Sequence, residues 1–481
     1  MKKIIILMLL ASILISTISC GSEGGNPDVT TGGDDAATQE ETTTYTYEYS
    51  KKYDGATVTI LNAGDIYNMR AEIDREELTG DSLDDVMFNR CRKVENELNV
   101  KLEEHTAGVD GELANTAQKS IMSGEDEYSI MYIPARDLYK FTDGGYLCDL
   151  TTFPDIKLDK PWWSKSYNDS CTINGQLYAA VGASQLMYID SLWCLFLNES
   201  MMADLGLDTP YDLVRTGKWT IDRLDEYMKA GAQLNGDESF NWNENGKSIY
   251  GLSGGAGDKF LAGCGEFIIG TKGGKLELDV GDSRFYEVTD KLSKVLKKNG
   301  GNRFSDPYSG IPDGTPGNYV TTFETQRALF LTAEVCKTSR MRDKSFEFGI
   351  VPFPKYDEGQ ENYYSNPFYG TPGFAIPVTA KDPERSAVVG DALAYLGNEM
   401  VLPVFIDVTL KGKGLRNENS VEMLELIINS SRADLCRIFV NEANAMRTAI
   451  CTAMENGDGV ASAIASDMSA VEAAIKAVND K

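Results

Sequence analysis

Histidine is all but missing from this chain. His105 is the one instance among 481 residues, and it follows a predicted strand in Glu103-Glu104-His105, the setting of a surface residue rather than of a base. Nucleophilic catalysis through a Ser–His or Cys–His pair therefore has almost nothing to work with. Gly251-Leu252-Ser253-Gly254-Gly255 has G-x-S-x-G spacing, but a nucleophile elbow needs a strand, a helix and a partner histidine. Here the motif opens a glycine-rich loop. Positive charge is also scarce: 46 Lys and Arg stand against 73 Asp and Glu, a net charge of −27. Binding phosphate backbones or anionic lipid needs a basic face, so nucleic acid is excluded as a partner. A polyanionic ligand is disfavoured, unless a local patch overrides the global sign. No C-x-x-C occurs; Cys91, Cys148, Cys171, Cys194, Cys264, Cys336, Cys436 and Cys451 are widely scattered. Disulfides and buried free thiols both stay open, and the pairing is unreadable. Beyond the N-terminus no apolar run is long enough to cross a bilayer.

Two cofactor-like motifs are incomplete. Gly246-Lys247-Ser248 has the tail of a phosphate-binding loop, but Asn241 stands where its first glycine belongs. Asn241, Asn243, Asn245 and Gly246 have the early spacing of a calcium loop, but Leu252 occupies the place of its closing carboxylate. The segment reads as a plain turn, and no metal or cofactor is expected. Paired carboxylates suited to glycosidase chemistry stay possible, since spatial separation decides them.

The N-terminus is informative. Lys2 and Lys3 precede apolar residues 4–15, then Ser16-Thr17-Ile18-Ser19-Cys20-Gly21. That is a secretory signal, too short to span a membrane. With a cysteine directly after a small residue it resembles a bacterial lipoprotein signal, which implies lipidation of Cys20; Thr17 stands where such signals usually carry Leu. Residues 21–50 hold seven acidic residues, no Lys or Arg and few aliphatics. Such a stretch cannot bury enough apolar surface to order itself, and self-repulsion extends it. It reads as a tether.

The remaining body is too long for one ordinary core and calls for two lobes. Ala56-Thr57-Val58-Thr59-Ile60-Leu61 is a β-branched strand; a helix follows over 82–99, with Asp81 as N-cap. Strands near 100–103 and 128–133 flank a helix over 113–123 closed by Gly124. Alternating strands and helices mean βαβ units, an α/β class and mainly parallel sheets. Ligands then bind beyond the strands' carboxyl ends, near 65–68 and 134–137.

Several segments, in order, carry a family resemblance. They are Asn174-Gly175-Gln176-Leu177-Tyr178-Ala179-Ala180-Val181, Trp193-Cys194-Leu195-Phe196-Leu197-Asn198, Thr209-Pro210 with Trp219-Thr220-Ile221-Asp222, Phe323 to Leu331, Phe346-Glu347-Phe348-Gly349-Ile350-Val351-Pro352-Phe353-Pro354 and Gly373-Phe374-Ala375-Ile376-Pro377. Together they resemble bacterial extracellular solute-binding proteins of ABC importers, in the branch that includes oligosaccharide receptors. The resemblance implies a two-lobed periplasmic-binding-protein-like fold, each lobe a mainly parallel sheet flanked by helices. It implies a signal peptide at 1–19, an anchored tether at 20–50, a first lobe at 51–181 plus 360–405, and a second at 182–355 plus 406–481. Crossovers are expected near 180–182, 354–367 and 405–412, with Thr220 and Gly459 at helix starts. The implied protein is an extracytoplasmic monomer held to the membrane by its lipid alone, binding an oligosaccharide and handing it to a permease without chemistry. A carbohydrate-active glycosidase or lyase, and a sensor for a membrane kinase, are the alternatives.

Sugars present apolar C–H faces and rings of hydroxyls, so aromatic platforms beside polar groups mark candidate contacts. These are Asp65, Tyr67, Asn68, Arg136, Asp137, Trp162, Trp163, Gln185, Tyr188, Asn366, Phe368 and Tyr369, with Asp190, Trp193, Tyr363 and Tyr364 nearby. Relatives often carry a tryptophan loop after the strand that ends near 331; Thr332-Ala333-Glu334-Val335 stands here instead, so Glu334 offers a carboxylate in its place.

Overall fold

The computed structural model describes residues 47–49, 51–109, 111–255, 257–297, 312–408 and 418–481. The segment expected to be a signal peptide, Cys20 and nearly all of the expected tether lie outside them. Tyr49–Lys481 is one compact unit. Its strands are β1 (Ala56–Ala63), β2 (Val100–Ala107), β3 (Ile130–Pro134), β4 (Trp193–Asn198), β5 (Tyr250–Ser253), β6 (Ile269–Lys272), β7 (Lys275–Leu278), β8 (Ala328–Glu334), β9 (Phe348–Val351) and β10 (Pro372–Ala375).

Two four-stranded sheets organise the unit, in the orders β10-β3-β1-β2 and β5-β8-β4-β9, with β6–β7 as a separate hairpin. In the first sheet β1 runs parallel to both β2 and β3, and only β10 is antiparallel. The second sheet is mixed rather than mainly parallel: β5 is parallel to β8, but β4 is antiparallel to both β8 and β9. The reason is where β4 starts. Its first residue, Trp193, lies opposite Glu334, the last of β8. A strand entering from the crossover must run away from it, while β8 runs towards it. Both strands are buried throughout, as Cys194-Leu195-Phe196-Leu197 and Ala328-Leu329-Phe330-Leu331 require of central strands.

Local chemistry sets the element ends. Asp81 accepts from the amides of Leu83 and Asp84 and starts the helix Ser82–Leu98; Asn99, in the left-handed region at φ 50°, turns the chain straight into β2. The face Leu83, Met87, Cys91, Val94 and Leu98 is buried. Gly124, at φ 73°, closes Glu112–Ser123. Thr220 is not a side-chain cap. It sits extended at the N-cap position and pairs with Lys355 through the backbone, and its hydroxyl makes no cap bond. Gly459 precedes the last helix, Val460–Asn479, also without a side-chain cap. Asn479 fastens that helix to β7, accepting from the Leu276 amide at 2.8 Å and donating to its carbonyl at 2.9 Å.

One helix among the described residues, Pro383–Ile406, is long and apolar enough to cross a membrane, although the chain shows no such run to simple inspection. More than half of its most apolar window is buried in the protein. It carries Asp391, whose side chain is fully buried and accepts from two indoles. A helix so engaged is a core helix. At Gly397 it widens into a π turn. A Cβ there would stand 1.9 Å from the Ala183 carbonyl oxygen, so only glycine permits the approach.

The chain passes between the sheets at 191–193 and 366–368. The two segments run side by side, with the Trp193 amide on the Asn366 carbonyl at 3.1 Å and the Phe368 amide on the Ser191 carbonyl at 2.9 Å. The first passage comes later than 180–182, because Ala180 exchanges two hydrogen bonds with Phe374 of β10 and so still belongs to the first sheet. The region expected to cross near 405–412 is described only to residue 408; Phe405 lies beneath the Arg70 guanidinium, 4.6 Å from it.

Candidate binding cleft

Four strands deliver their carboxyl ends to the zone where the chain crosses. β1 leads to Asp65–Asn68, β3 to Ala135–Asp137, β5 to the loop before Asp258, and β8 to Glu334. That is where open α/β sheets hold ligands. Gly254 makes the β5 loop possible: its φ is 102°, and a Cβ would stand 2.3 Å from Thr332 Oγ1.

The crossover residues form the cleft's floor. Asn366, Pro367, Phe368 and Tyr369 line a cavity of about 40 Å³ with Ala135, Asp258, Asp434, Arg437 and Arg447. That space admits only a few water molecules, since one needs about 10–15 Å³. The Phe368 and Tyr369 rings stand 4.5 Å apart. Tyr369 is faced by two guanidinium groups, Arg437 at 4.3 Å and Arg136 at 5.5 Å. Asn366 Oδ1 is buried without a hydrogen-bond partner among the described residues, as is Arg437 Nε.

Charges converge beside these rings. Asp258 meets Lys259 at 3.0 Å and Arg447 at 3.1 Å, with Arg437 further off at 3.7 Å. Burial alone would raise its pKa, but the three cations outweigh that and hold the carboxyl well below the usual range. Lys259 also sits over the Trp193 ring at 4.4 Å. Asp434 accepts from the amides of Ile268, Ile269 and Cys436, which fixes the short turn Leu435–Arg437. Glu334, opposite Trp193, is 8% exposed, and its Oε2 has no hydrogen-bond partner among the described residues. Burial raises its pKa against the pull of Lys337.

The other expected contacts divide. Tyr67 and Asn68 form the tip of a tight turn bridged by Ile66 and Met69, both in the left-handed region, and both exposed. The Tyr67 carbonyl lies 3.7 Å from Cys336 Sγ, just past β8. Asp65 is held within its own loop: it accepts from the amides of Ala71 and Glu72 and pairs with Arg75 at 3.0 Å. Asp137 pairs with Lys140 at 2.6 Å, while Arg136 donates to the Val109 carbonyl. Gln185 is buried, donating to Asn62 Oδ1 and the Ala71 carbonyl.

Trp162, Trp163 and Tyr188 lie elsewhere. Both indole N–H groups donate to Asp391 Oδ1, at 2.9 and 2.8 Å. The Tyr188 hydroxyl reaches Ser164 Oγ at 2.6 Å and Ser431. All three border a separate cavity of about 290 Å³, with Asn398, Leu402 and Asn429. Although larger, this cavity lies away from the converging strand ends, and its aromatic polar atoms are already bonded. Asp190 is also structural, accepting from the Arg70 amide and guanidinium at 2.6–3.0 Å.

Asp258, Arg437 and Arg447 escaped the sequence reading. No motif surrounds them, and the tail's helical pattern hides a short turn that aims one arginine into the cleft. In the calcium-like loop, Arg327 donates to the carbonyls of Asn241, Asn243 and Ser248. No group of His, Cys, Asp and Glu among the described residues is placed to hold a metal. Ser253 donates to the Tyr319 carbonyl at 3.0 Å, and the eight body cysteines are free thiols. His105 is exposed on β2, edge-on to Tyr128.

No protein-family model matches the chain, and no curated protein matches it in sequence. Solved structures do. The GacH receptor of Streptomyces glaucescens GLA.O, solved unliganded and with acarbose, superposes with a TM-score of 0.53 at 14% identity, over 88% of this chain and 99% of that one. The ABC substrate-binding protein Lmo0181 of Listeria monocytogenes, in complex with cycloalternan, gives 0.52 at 13% identity, over 89% and 99%. A cyclo/maltodextrin-binding protein complexed with maltotetraose gives 0.55 at 13% identity, over 89% and 98%. At such identities the likeness is one of fold, and the chain has the two-lobed fold of these periplasmic binding proteins.

Proposed function

We propose that the protein is a solute receptor that captures an oligosaccharide between its lobes and hands it to an ABC-type permease, held at the membrane by a lipid on Cys20. One observation carries this reading: the cleft floor sets aromatic rings, Phe368 and Tyr369, beside polar atoms with hydrogen-bonding capacity to spare, Asn366 Oδ1 and the Arg437 guanidinium. Aromatic faces suit the C–H side of a sugar ring, and paired donors and acceptors suit its hydroxyls. The sugar-binding proteins of like fold, and the N-terminal signal, support the same reading.

A thermal-shift screen of the purified body against a glycan panel tests it. Binding to the folded state alone raises stability by about 2.7 kcal/mol at a ligand concentration of 100 Kd. At least one oligosaccharide should raise the melting temperature, and Tyr369→Ala and Asn366→Ala should abolish the shift. Silence across the panel refutes the reading. Deleting the gene should stop uptake of that glycan; unchanged uptake would point to a sensor instead. Cys20→Ala should release the protein from membranes.

A further inference from the structure

We infer that the solute is an acidic oligosaccharide whose oxyanion is gripped by Arg437. The inference rests on the cleft being the binding site. Its basis is which polar groups around the cavity are occupied and which are not.

The two carboxylates that line the cavity are fully engaged. Asp258 holds Lys259 and Arg447 at 3.0 and 3.1 Å. Asp434 accepts three backbone amides, at 2.9–3.2 Å. Arg447 is engaged as well, with Asp258, Asn444 and Thr448. Arg437 differs. Its guanidinium makes no hydrogen bond among the described residues, and its nearest carboxylate oxygen is 3.7 Å away, on an Asp258 that two closer cations already share. The Tyr369 ring positions it, with Asn366 Oδ1 unpaired in the same cavity.

A guanidinium stays charged at any pH the protein meets and presents five N–H donors in a planar fork. When the lobes close on a ligand, water leaves that fork, and something must replace it. Sugar hydroxyls replace it in part. A carboxylate or an ester oxyanion replaces it with two parallel charge-assisted bonds. Asn366 Oδ1 then suits a neighbouring hydroxyl, and Tyr369 the ring face. Arg136, 5.5 Å from the Tyr369 ring, adds positive charge nearby, together with Lys140, although Asp137 pairs with both. The cavity lining, Arg437 and Arg447 against Asp258 and Asp434, is thus balanced in charge within a chain whose net charge is −27.

The test is calorimetry on the whole body with matched trimers: glucose and glucuronate, galactose and galacturonate, mannose and mannuronate, and their sulfate esters. The acidic member of at least one pair should bind about 10–100-fold tighter than its neutral counterpart, as charge-assisted hydrogen bonds require. Arg437→Gln should erase that preference. Arg437→Lys, which keeps the charge without the fork, should retain part of it and shows that the site still folds. A sulfate ester outbinding the uronate would also support the inference, and would identify the oxyanion. Neutral trimers binding as tightly as acidic ones, or a preference that survives Arg437→Gln, would overturn it while leaving the receptor reading intact. If no trimer of any kind binds, the receptor reading falls with it.

Discussion

Replacing Asp391 should cost the protein about 4 kcal/mol of stability while leaving ligand affinity untouched. The structure sets that magnitude. Asp391 Oδ1 receives three donors: the Lys157 amide at 3.0 Å, Trp162 Nε1 at 2.9 Å and Trp163 Nε1 at 2.8 Å. Lys157 Nζ lies 3.6 Å from Oδ2. Both indoles are 2% exposed, so water cannot replace the carboxylate without rearrangement. A buried donor left unsatisfied costs about 1–3 kcal/mol. Breaking a buried charged pair from one side costs about 3–5 kcal/mol. Asp391→Ala should therefore fall near 4 kcal/mol, a large part of the roughly 5–15 kcal/mol that holds a domain folded. Asp391→Asn keeps one acceptor oxygen and should cost about half as much. Urea unfolding followed by tryptophan emission measures both, with emission shifting to the red as the indoles lose their anchor. A loss below about 1 kcal/mol for Asp391→Ala would refute the reasoning. A loss of ligand affinity at unchanged stability would return Trp162 and Trp163 to the binding site.

Asp258 gives a pH signature. Its folded pKa lies below that of the unfolded chain, about 3.9, so its contribution is fully present above that value and is lost as pH falls from there through the folded pKa. The stability gap between wild type and Asp258→Asn, from urea midpoints, should be flat from pH 7 to 5 and narrow below about 4; a gap that widens on acidification contradicts this. Asp81→Ala should cost about 1 kcal/mol through its lost cap bonds, whereas Thr220→Ala should cost nothing attributable to capping, both by chemical denaturation. Gly397→Ala should cost about 2 kcal/mol or more, because its Cβ meets backbone rather than a movable side chain; a neutral result would mean that the π turn is easily rebuilt.

The first sheet was legible because its signals are local. The alternation in Ala56-Thr57-Val58-Thr59-Ile60, the Asp81 cap and the Gly124 stop each lie within a few residues of the element they define. The second sheet's mixed direction was not, since it depends on where β4 leaves the crossover. The site divides the same way. A strand end followed by polar and aromatic residues pointed to Asn366, Phe368 and Tyr369, which line the cleft cavity. The same cue pointed to Asp65, whose carboxylate is taken up by the amides of its own turn, and to Trp162 and Trp163, held by a carboxylate far along the chain. Arg437 carried no cue, because what makes it notable is the hydrogen bonds its neighbours already make with others.

The narrow cavity has an energetic consequence for capture. Small-molecule sites occupy about 300–1,000 Å³, so a floor cavity of about 40 Å³ would admit the proposed sugar only if the lobes part. Several contacts tie the two sides together, among them the Lys481–Asp143 ion pair and the hydrogen bonds of Ser166 to the Asn429 and Ser431 carbonyls. The Asn174 amide donates to the Gly274 carbonyl at 2.7 Å, Cys336 Sγ approaches the Tyr67 carbonyl at 3.7 Å, and Arg437 stacks on Tyr369. A backbone hydrogen bond contributes about 0.5–1.5 kcal/mol and a cation–π contact about 0.5–2 kcal/mol. Each is small beside the few kcal/mol on which a ligand's differential affinity shifts a two-state hinge. The Arg437 contact is the informative one. Its guanidinium meets the Tyr369 ring at 4.3 Å and an Asp258 oxygen at 3.7 Å without a hydrogen bond, so on the proposed reading an oxyanion filling the fork would strengthen closure.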